Sequence, residues 1–192
     1  MGRAKEFDPE QALVRAMEVF WLKGYQNASV GELLTAMKIN RWSLYETFGD
    51  KQELFLAALQ LYRRRWGQMI AEHLAAPGSP RAVMVRLLRA MGRDLVSDEL
   101  GRGCLVANSA VELRYLDAEA QQVVRGSLET LEGAFTRVLE RAKEAGELTS
   151  ALPPRKLAAF LLASMNGIRD VAKMDRDAKR IHELVEALVS II

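Results

Sequence analysis

Apolar residues recur at spacings of three and four along almost the whole chain, whereas runs in which apolar and polar residues alternate are rare. The first spacing makes one stripe per helix and the second would make one face per strand, so the pattern specifies an all-α fold. The five prolines fall where such helices start or stop: Pro9, Pro77, Pro80, Pro153 and Pro154. With 192 residues, 49% of them hydrophobic and 27% charged, the chain can bury a core of ordinary size. Its uncharged run from Leu157 to Ile168 covers only 12 residues, short of the roughly 20 that span a bilayer. No transmembrane helix and no membrane partner are expected.

The first helix is expected over about Pro9–Lys23, with Ala12, Leu13, Ala16, Val19 and Phe20 on one stripe and Gly24 at its end. The elements then become short. Ser29 with Glu32 forms a capping box that starts a helix carrying Val30, Leu33, Leu34 and Met37. Lys38-Ile39-Asn40 makes the next turn, Asn40 caps a helix from Arg41 to Phe48, and Gly49 ends it. Asp50 and Glu53 repeat the capping pattern and open a helix from Lys51 to Leu74, which at ~1.5 Å per residue spans about 36 Å. Beyond the Ala76–Pro80 break the helices lengthen: 81–96, a segment 104–113, then 118–145, 155–172 and 177–191.

Two short helices joined by three or four residues, the second followed by glycine and a capped long helix, form a helix-turn-helix pattern. The residues that fill it are Val19-Phe20, Gly24-Tyr25, Ser29-Val30, Leu33-Leu34 and above all Ser43-Leu44-Tyr45-Glu46-Thr47-Phe48-Gly49-Asp50-Lys51-Gln52-Glu53-Leu54-Phe55. Together they resemble the N-terminal domain of TetR-family transcriptional regulators over about residues 8–60. The stretch Gly103 to Leu113 is similar to the effector domain of one subgroup. The resemblance implies a helix-turn-helix DNA-binding domain over 1–50 and an effector-binding and dimerisation domain over 51–192, with helix 51–74 linking the two.

It also implies residue roles. Arg41, Trp42 and Ser43 sit at the leading end of the helix that enters the major groove, where arginine pairs with a guanine edge or a phosphate and serine bonds to either. Leu44 and Phe48 belong to the core of the three-helix unit. Ser29, at the start of the preceding helix, is a further DNA-binding candidate. Tyr45 resembles the family tyrosine whose hydroxyl reaches a backbone phosphate. Lys51 matches the family lysine that faces phosphate, with the free N–H groups of its helix start adding to an anion site. Trp42 replaces the small residue or proline usual there, and either packs on a thymine methyl or sugar or covers the turn. Glu46 places a negative charge near the expected backbone.

Dimerisation is placed by the resemblance on the last two helices, paired with their twins as a four-helix bundle through Leu157, Leu161, Ser164, Ile168, Ile181, Leu184 and Leu188. Small residues there, Ala158, Ala159, Ala163 and Gly167, permit close approach. A helix-turn-helix monomer reads one half-site, which gives two-fold pairing a mechanical reason. An effector cavity is expected among Met69, Met91, Leu95, Cys104, Phe135 and Met165, with Met84, Tyr115 and Phe160 as further lining. Asn108, Glu112, Asn166 and Arg169 are its sparse polar groups. Cys104 is either a sensor thiol, activated by Arg102 and a helix start, or a small buried hydrophobe.

The charge balance is mild: 27 Lys and Arg against 25 Asp and Glu overall, with 10 against 8 over residues 1–66. Two histidines and one cysteine make no closed zinc set, and no metal or other cofactor is expected. No Ser/His/Asp or Cys/His set and no glycine-rich phosphate loop is present, so the chain is not expected to be an enzyme. Met1–Phe7, with Arg3, Lys5 and Glu6, does not lead into an apolar signal-peptide core, which points to a cytoplasmic protein. The partners are then a double-stranded DNA operator, a second copy as homodimer, and a small-molecule effector of unspecified identity. A repressor released by that effector fits these residues, as does an activator or dual regulator. Trp42 and Glu46 alone support a helical interaction module without DNA binding.

Overall fold

The computed structural model describes residues 7–192, so Arg3, Lys5 and Glu6 lie outside the described residues. Among these residues there are nine α-helices and no strand: α1 Pro9–Asn27, α2 Val30–Met37, α3 Arg41–Phe48, α4 Lys51–Ala75, α5 Pro80–Ser97, α6 Leu105–Val111, α7 Ala118–Glu144, α8 Pro154–Met174 and α9 Ala178–Val189. One turn of 3-10 helix, Leu113–Tyr115, follows α6. No described helix is long and apolar enough to cross a membrane.

The chain forms two compact units. Among the described residues, the first takes 7–65 and, returning after a long excursion, 104–126; the second takes 66–103 and 127–192. Helices α4 and α7 each contribute to both. Segment 104–126 therefore belongs in packing with α1 to α3, although more than fifty residues of chain separate it from the end of α3.

In the first unit, the Asp8 carboxylate accepts the N–H groups of Glu10 and Gln11 at 2.9 and 3.3 Å and starts α1, with Pro9 in the first turn where no donor is lost. The core is aromatic: Phe20 and Tyr25 of α1 both meet Phe55 of α4 with ring centroids 4.9 Å apart. Leu33 and Met37 of α2, Leu44 of α3 and Leu54 and Ala58 of α4 are buried with them. Leu33 with Met37 and Leu54 with Ala58 are each one helical turn apart, as a helix with one apolar stripe requires.

The second unit is built around Met84, Leu87 and Leu88 of α5, Phe135 and Leu139 of α7, Leu157, Leu161 and Met165 of α8, and Ile181, Val185 and Leu188 of α9. At its rim, Arg89 of α5 grips Glu186 of α9 with both prongs, at 2.6 Å each. This packing corrects the placement of five of the seven residues expected at the dimer seam. Leu157, Leu161, Ile168, Ile181 and Leu188 are all buried within the subunit's own core. An amphipathic helix in a multilayered bundle spends its largest apolar residues on its own chain, and the second, smaller-residue stripe is what stays outside. That stripe on α8 is Ala159, Phe160, Ala163 and Gly167, all exposed, with Ser164 and Val171 half-buried; on α9 it includes half-buried Leu184 and exposed Ala187.

Candidate nucleic-acid interface

Helix α2 is held at its start by a complete capping box. The Ser29 hydroxyl accepts the Glu32 N–H at 3.2 Å and donates to the Glu32 carboxylate at 2.8 Å, while the Ser29 N–H donates to the same carboxylate at 3.0 Å. Lys23 pairs with the other oxygen. The Lys23 hydrogen bond, followed by the bonds from Ser29, holds the Glu32 carboxyl down at about 2. Ser29 is exposed, but its hydroxyl is committed to the cap on both its donor and its acceptor side. At the other end of α2, Lys38 adopts the left-handed conformation with φ 57°. Its N–H reaches the Thr35 carbonyl and the Ile39 N–H reaches the Leu34 carbonyl at 3.2 Å, a Schellman closure made here by a lysine.

The Asn40 side chain accepts the Ser43 N–H at 2.8 Å and starts α3. With Leu44 turned into the core, the opposite face of α3 carries Arg41, Trp42, Tyr45 and Glu46, all exposed; Trp42 is 69% and Tyr45 49% accessible. Ser43 is half-buried, so it stands at the margin of that face. Two large aromatic side chains are thus left exposed on an eight-residue helix. Thr47, on the inner side, has a buried hydroxyl oxygen without a hydrogen bond among the described residues.

At the start of α4, Asp50 and Glu53 form a second capping box: the Asp50 carboxylate accepts the Gln52 and Glu53 N–H groups at 2.8 and 2.9 Å, and the Asp50 N–H donates to Glu53 at 2.9 Å. A methyl group at Gly49 would stand 1.6 Å from the Glu53 carboxylate, and its φ of 74° is one that other residues rarely adopt. The expected anion site made of free helix-start N–H groups is thereby corrected, because two of those donors already serve Asp50. Lys51 is half-buried. Its ammonium lies 4.7 Å from the centroid of the Tyr25 ring and donates to the Gln26 carbonyl at 3.4 Å. Burial lowers its pKa from the ordinary lysine value, and the charge of Glu112 opposes that shift.

Residues 12–58 match the bacterial regulatory proteins of the tetR family, and residues 81–188 match the tetracyclin repressor-like C-terminal domain. The chain belongs to the TetR family. It is similar over its whole length, and over the whole of that protein, to the HTH-type transcriptional regulator YezE of Bacillus subtilis, at 35% identity. To the HTH-type transcriptional repressor ComR of Escherichia coli it is 24% identical over 95% of this chain and 88% of that one. A cysteine-substituted form of the TetR-family regulator CifR, solved with 26-bp double-strand operator DNA, superposes with a TM-score of 0.86 at 31% identity, covering 98% of each chain. The chain is accordingly a DNA-binding transcriptional regulator and not an enzyme.

The effector candidates of this TetR-family regulator fall in different places. Met91, Phe135 and Met165 lie together in the core of the second unit, with Met69 and Leu95 packed at its margin. Asn166 and Arg169 bond to each other, the guanidinium donating to the amide oxygen at 2.6 Å, and the guanidinium carbon lies 5.8 Å from the Trp66 ring centroid. Cys104, Asn108 and Glu112 lie on or beside α6, in the first unit. Tyr115 and Phe160 are exposed, a correction to their expected place as cavity lining. Cys104 is buried at the α6 start, and Arg102, expected to activate it, is 3.1 Å from the Asp98 carboxylate. Among the described residues, no group of three His, Cys, Asp or Glu side chains is placed to hold a metal.

Glu112 is the residue whose partners sequence reasoning missed. Expected as a polar group of a cavity, it instead accepts the Tyr25 N–H at 2.7 Å and the Gln26 N–H at 3.2 Å. It does so at the one break inside α1, where Gly24 has φ 79°. A partner 87 residues away leaves no periodicity for sequence to display.

Proposed function

We propose that this regulator is a cytoplasmic, homodimeric repressor that grips operator DNA through α3 and the start of α4 and is released when a small-molecule effector occupies its larger half. Arg41, Trp42, Ser43 and Tyr45 meet the major groove and its flanking phosphates, and Lys51 meets the backbone, while Ser29 acts only through its cap of α2. The observation that carries this is the outward face of α3, where a cation and two aromatic rings stand exposed on a helix anchored from behind by Leu44. The naming of ComR as a repressor and the operator DNA in the CifR structure support it.

DNA reading belongs to residues 1–50, and effector binding and dimerisation to 51–192. The dimer forms through the second stripe of α8 and α9, with Phe160, Ala163, Ser164, Gly167, Leu184 and Ala187 against their twins. The effector lies among Met69, Met91, Leu95, Phe135, Met165, Asn166 and Arg169, while Cys104 and Asn108 are the candidates that α6 supplies. Its binding favours a spacing of the two heads that no longer fits grooves roughly 34 Å apart. A gel shift on the DNA upstream of the protein's own gene, repeated with fractionated metabolites, tests this. A retarded band abolished by one fraction is expected; no retardation, or retardation that only grows tighter with every active fraction, overturns the repressor reading.

A further inference from the structure

The corner between α1 and α2 is where the family's C-terminal match meets its DNA-binding head. Residues 81–188 match the C-terminal domain, yet α6 packs in the same compact unit as α1 to α3. Just past the end of α6, before the 3-10 turn, Glu112 sends its carboxylate back to Gly24-Tyr25-Gln26. The break at Gly24, with φ 79° and ψ 172°, turns two successive N–H groups out of the helix. One carboxylate accepts both, Oε2 from Tyr25 at 2.7 Å and Oε1 from Gln26 at 3.2 Å. A methyl at Gly24 would lie 2.7 and 2.9 Å from those two oxygens, so the backbone there approaches Glu112 as closely as only glycine allows.

The same two residues make the seat of Lys51. Its ammonium rests over the Tyr25 ring and against the Gln26 carbonyl. We infer that Glu112 is a positioning residue for DNA binding: by fixing the Tyr25–Gln26 backbone from α6 it fixes the seat from which Lys51 reaches phosphate. A shift of α6 that withdraws the carboxylate frees two donors at the corner and lets the seat move. The route from α6 to the DNA backbone is short, made of one carboxylate, two amides and one lysine. It rests on the proposed role of Lys51 as a phosphate contact.

The test is fluorescence anisotropy of a labelled duplex carrying the protein's own upstream DNA, measured over a range of salt with the full chain and with Lys51→Ala, Glu112→Gln and the double variant. Glutamine keeps the shape but opposes one amide N–H with its own donor and removes the charge. Glu112→Gln is expected to weaken binding roughly tenfold near 0.1 M salt, as Lys51→Ala does, because it disables the same phosphate contact. It should also flatten the salt dependence by about the 0.9 that one phosphate contact contributes. The double variant should bind no more weakly than Lys51→Ala. A slope that falls with Lys51→Ala but stays with Glu112→Gln, or fully additive losses, overturns the inference alone. A slope unchanged by Lys51→Ala overturns the phosphate role beneath it. If Glu112→Gln does not fold, amide hydrogen exchange on the unaltered protein decides: slower exchange at Tyr25 and Gln26 on DNA binding supports the route, and unchanged exchange at both overturns it.

Discussion

Lys51, the proposed phosphate contact, is half-buried, with its ammonium over the Tyr25 ring and against the Gln26 carbonyl. A cation held in place this way loses less freedom when it takes a phosphate. Lys51→Ala should weaken binding to all duplexes alike and lower the salt slope by about 0.9, read from affinities between low and moderate salt. Arg41 stands exposed on the reading face, so Arg41→Ala should instead cost discrimination, roughly 1 to 3 kcal/mol at one base pair, measured by binding to single-base-pair variants of the site. Glu32 makes a pH prediction. Its folded pKa lies near 2, below the ordinary glutamate value of about 4.3, so the folded state favours its charged form. Its stabilisation is present above about pH 4.3 and lost as pH falls towards 2. Acid melting of Glu32→Gln should lack that component, and identical acid limbs would contradict the cap. Cys104, buried at the α6 start, should react with a thiol reagent more slowly than a free peptide thiol. Faster labelling, with DNA release lost in Cys104→Ser, would mark it as a sensor.

At the scale of elements, what the sequence displays is what is local. The expected span of α3, Arg41 to Phe48, is the observed one, because its cap Asn40, its inward Leu44 and its stop Gly49 all lie within ten residues of chain. Both capping boxes were legible for the same reason: Ser29 with Glu32, and Asp50 with Glu53, are three residues apart. What was not legible depends on partners distant in sequence or on an atypical residue. The turn Lys38-Ile39-Asn40 was expected, but not that Lys38 closes α2 in a left-handed conformation, which sequence associates with glycine or asparagine. Lys38→Gly should raise stability by up to about 1 kcal/mol by removing the strain of that φ, seen as a higher denaturation midpoint; a lower midpoint would show that the lysine side chain stabilises the turn by other means. Helix α1 was expected to stop at Lys23, yet a further turn follows the Gly24 break, held by Glu112 from a segment far along the chain. The role of Glu112 was invisible because a carboxylate reads the same in sequence whether it faces a ligand or a backbone.

For the whole molecule, the apolar stripes told that α8 and α9 are amphipathic but not which stripe faces inward, since an intramolecular core and a dimer seam have the same period. The structure puts Leu161 in the subunit core, so Leu161→Glu should unfold the subunit. Ala163→Glu, on the exposed stripe, should leave the fold intact and give monomer by light scattering; a persisting dimer would move the contact to another surface. A monomer holds one reading helix and one half-site, so operator affinity should fall with it. The central claim is that this face of α3 reads DNA sequence. Its most direct test is the ratio of affinities for the protein's own upstream DNA and for a random duplex of equal length at one physiological salt concentration. The account predicts a ratio of about a thousand or more, reduced by Arg41→Ala. Equal affinity for the two duplexes, unmoved by Arg41→Ala, would contradict it.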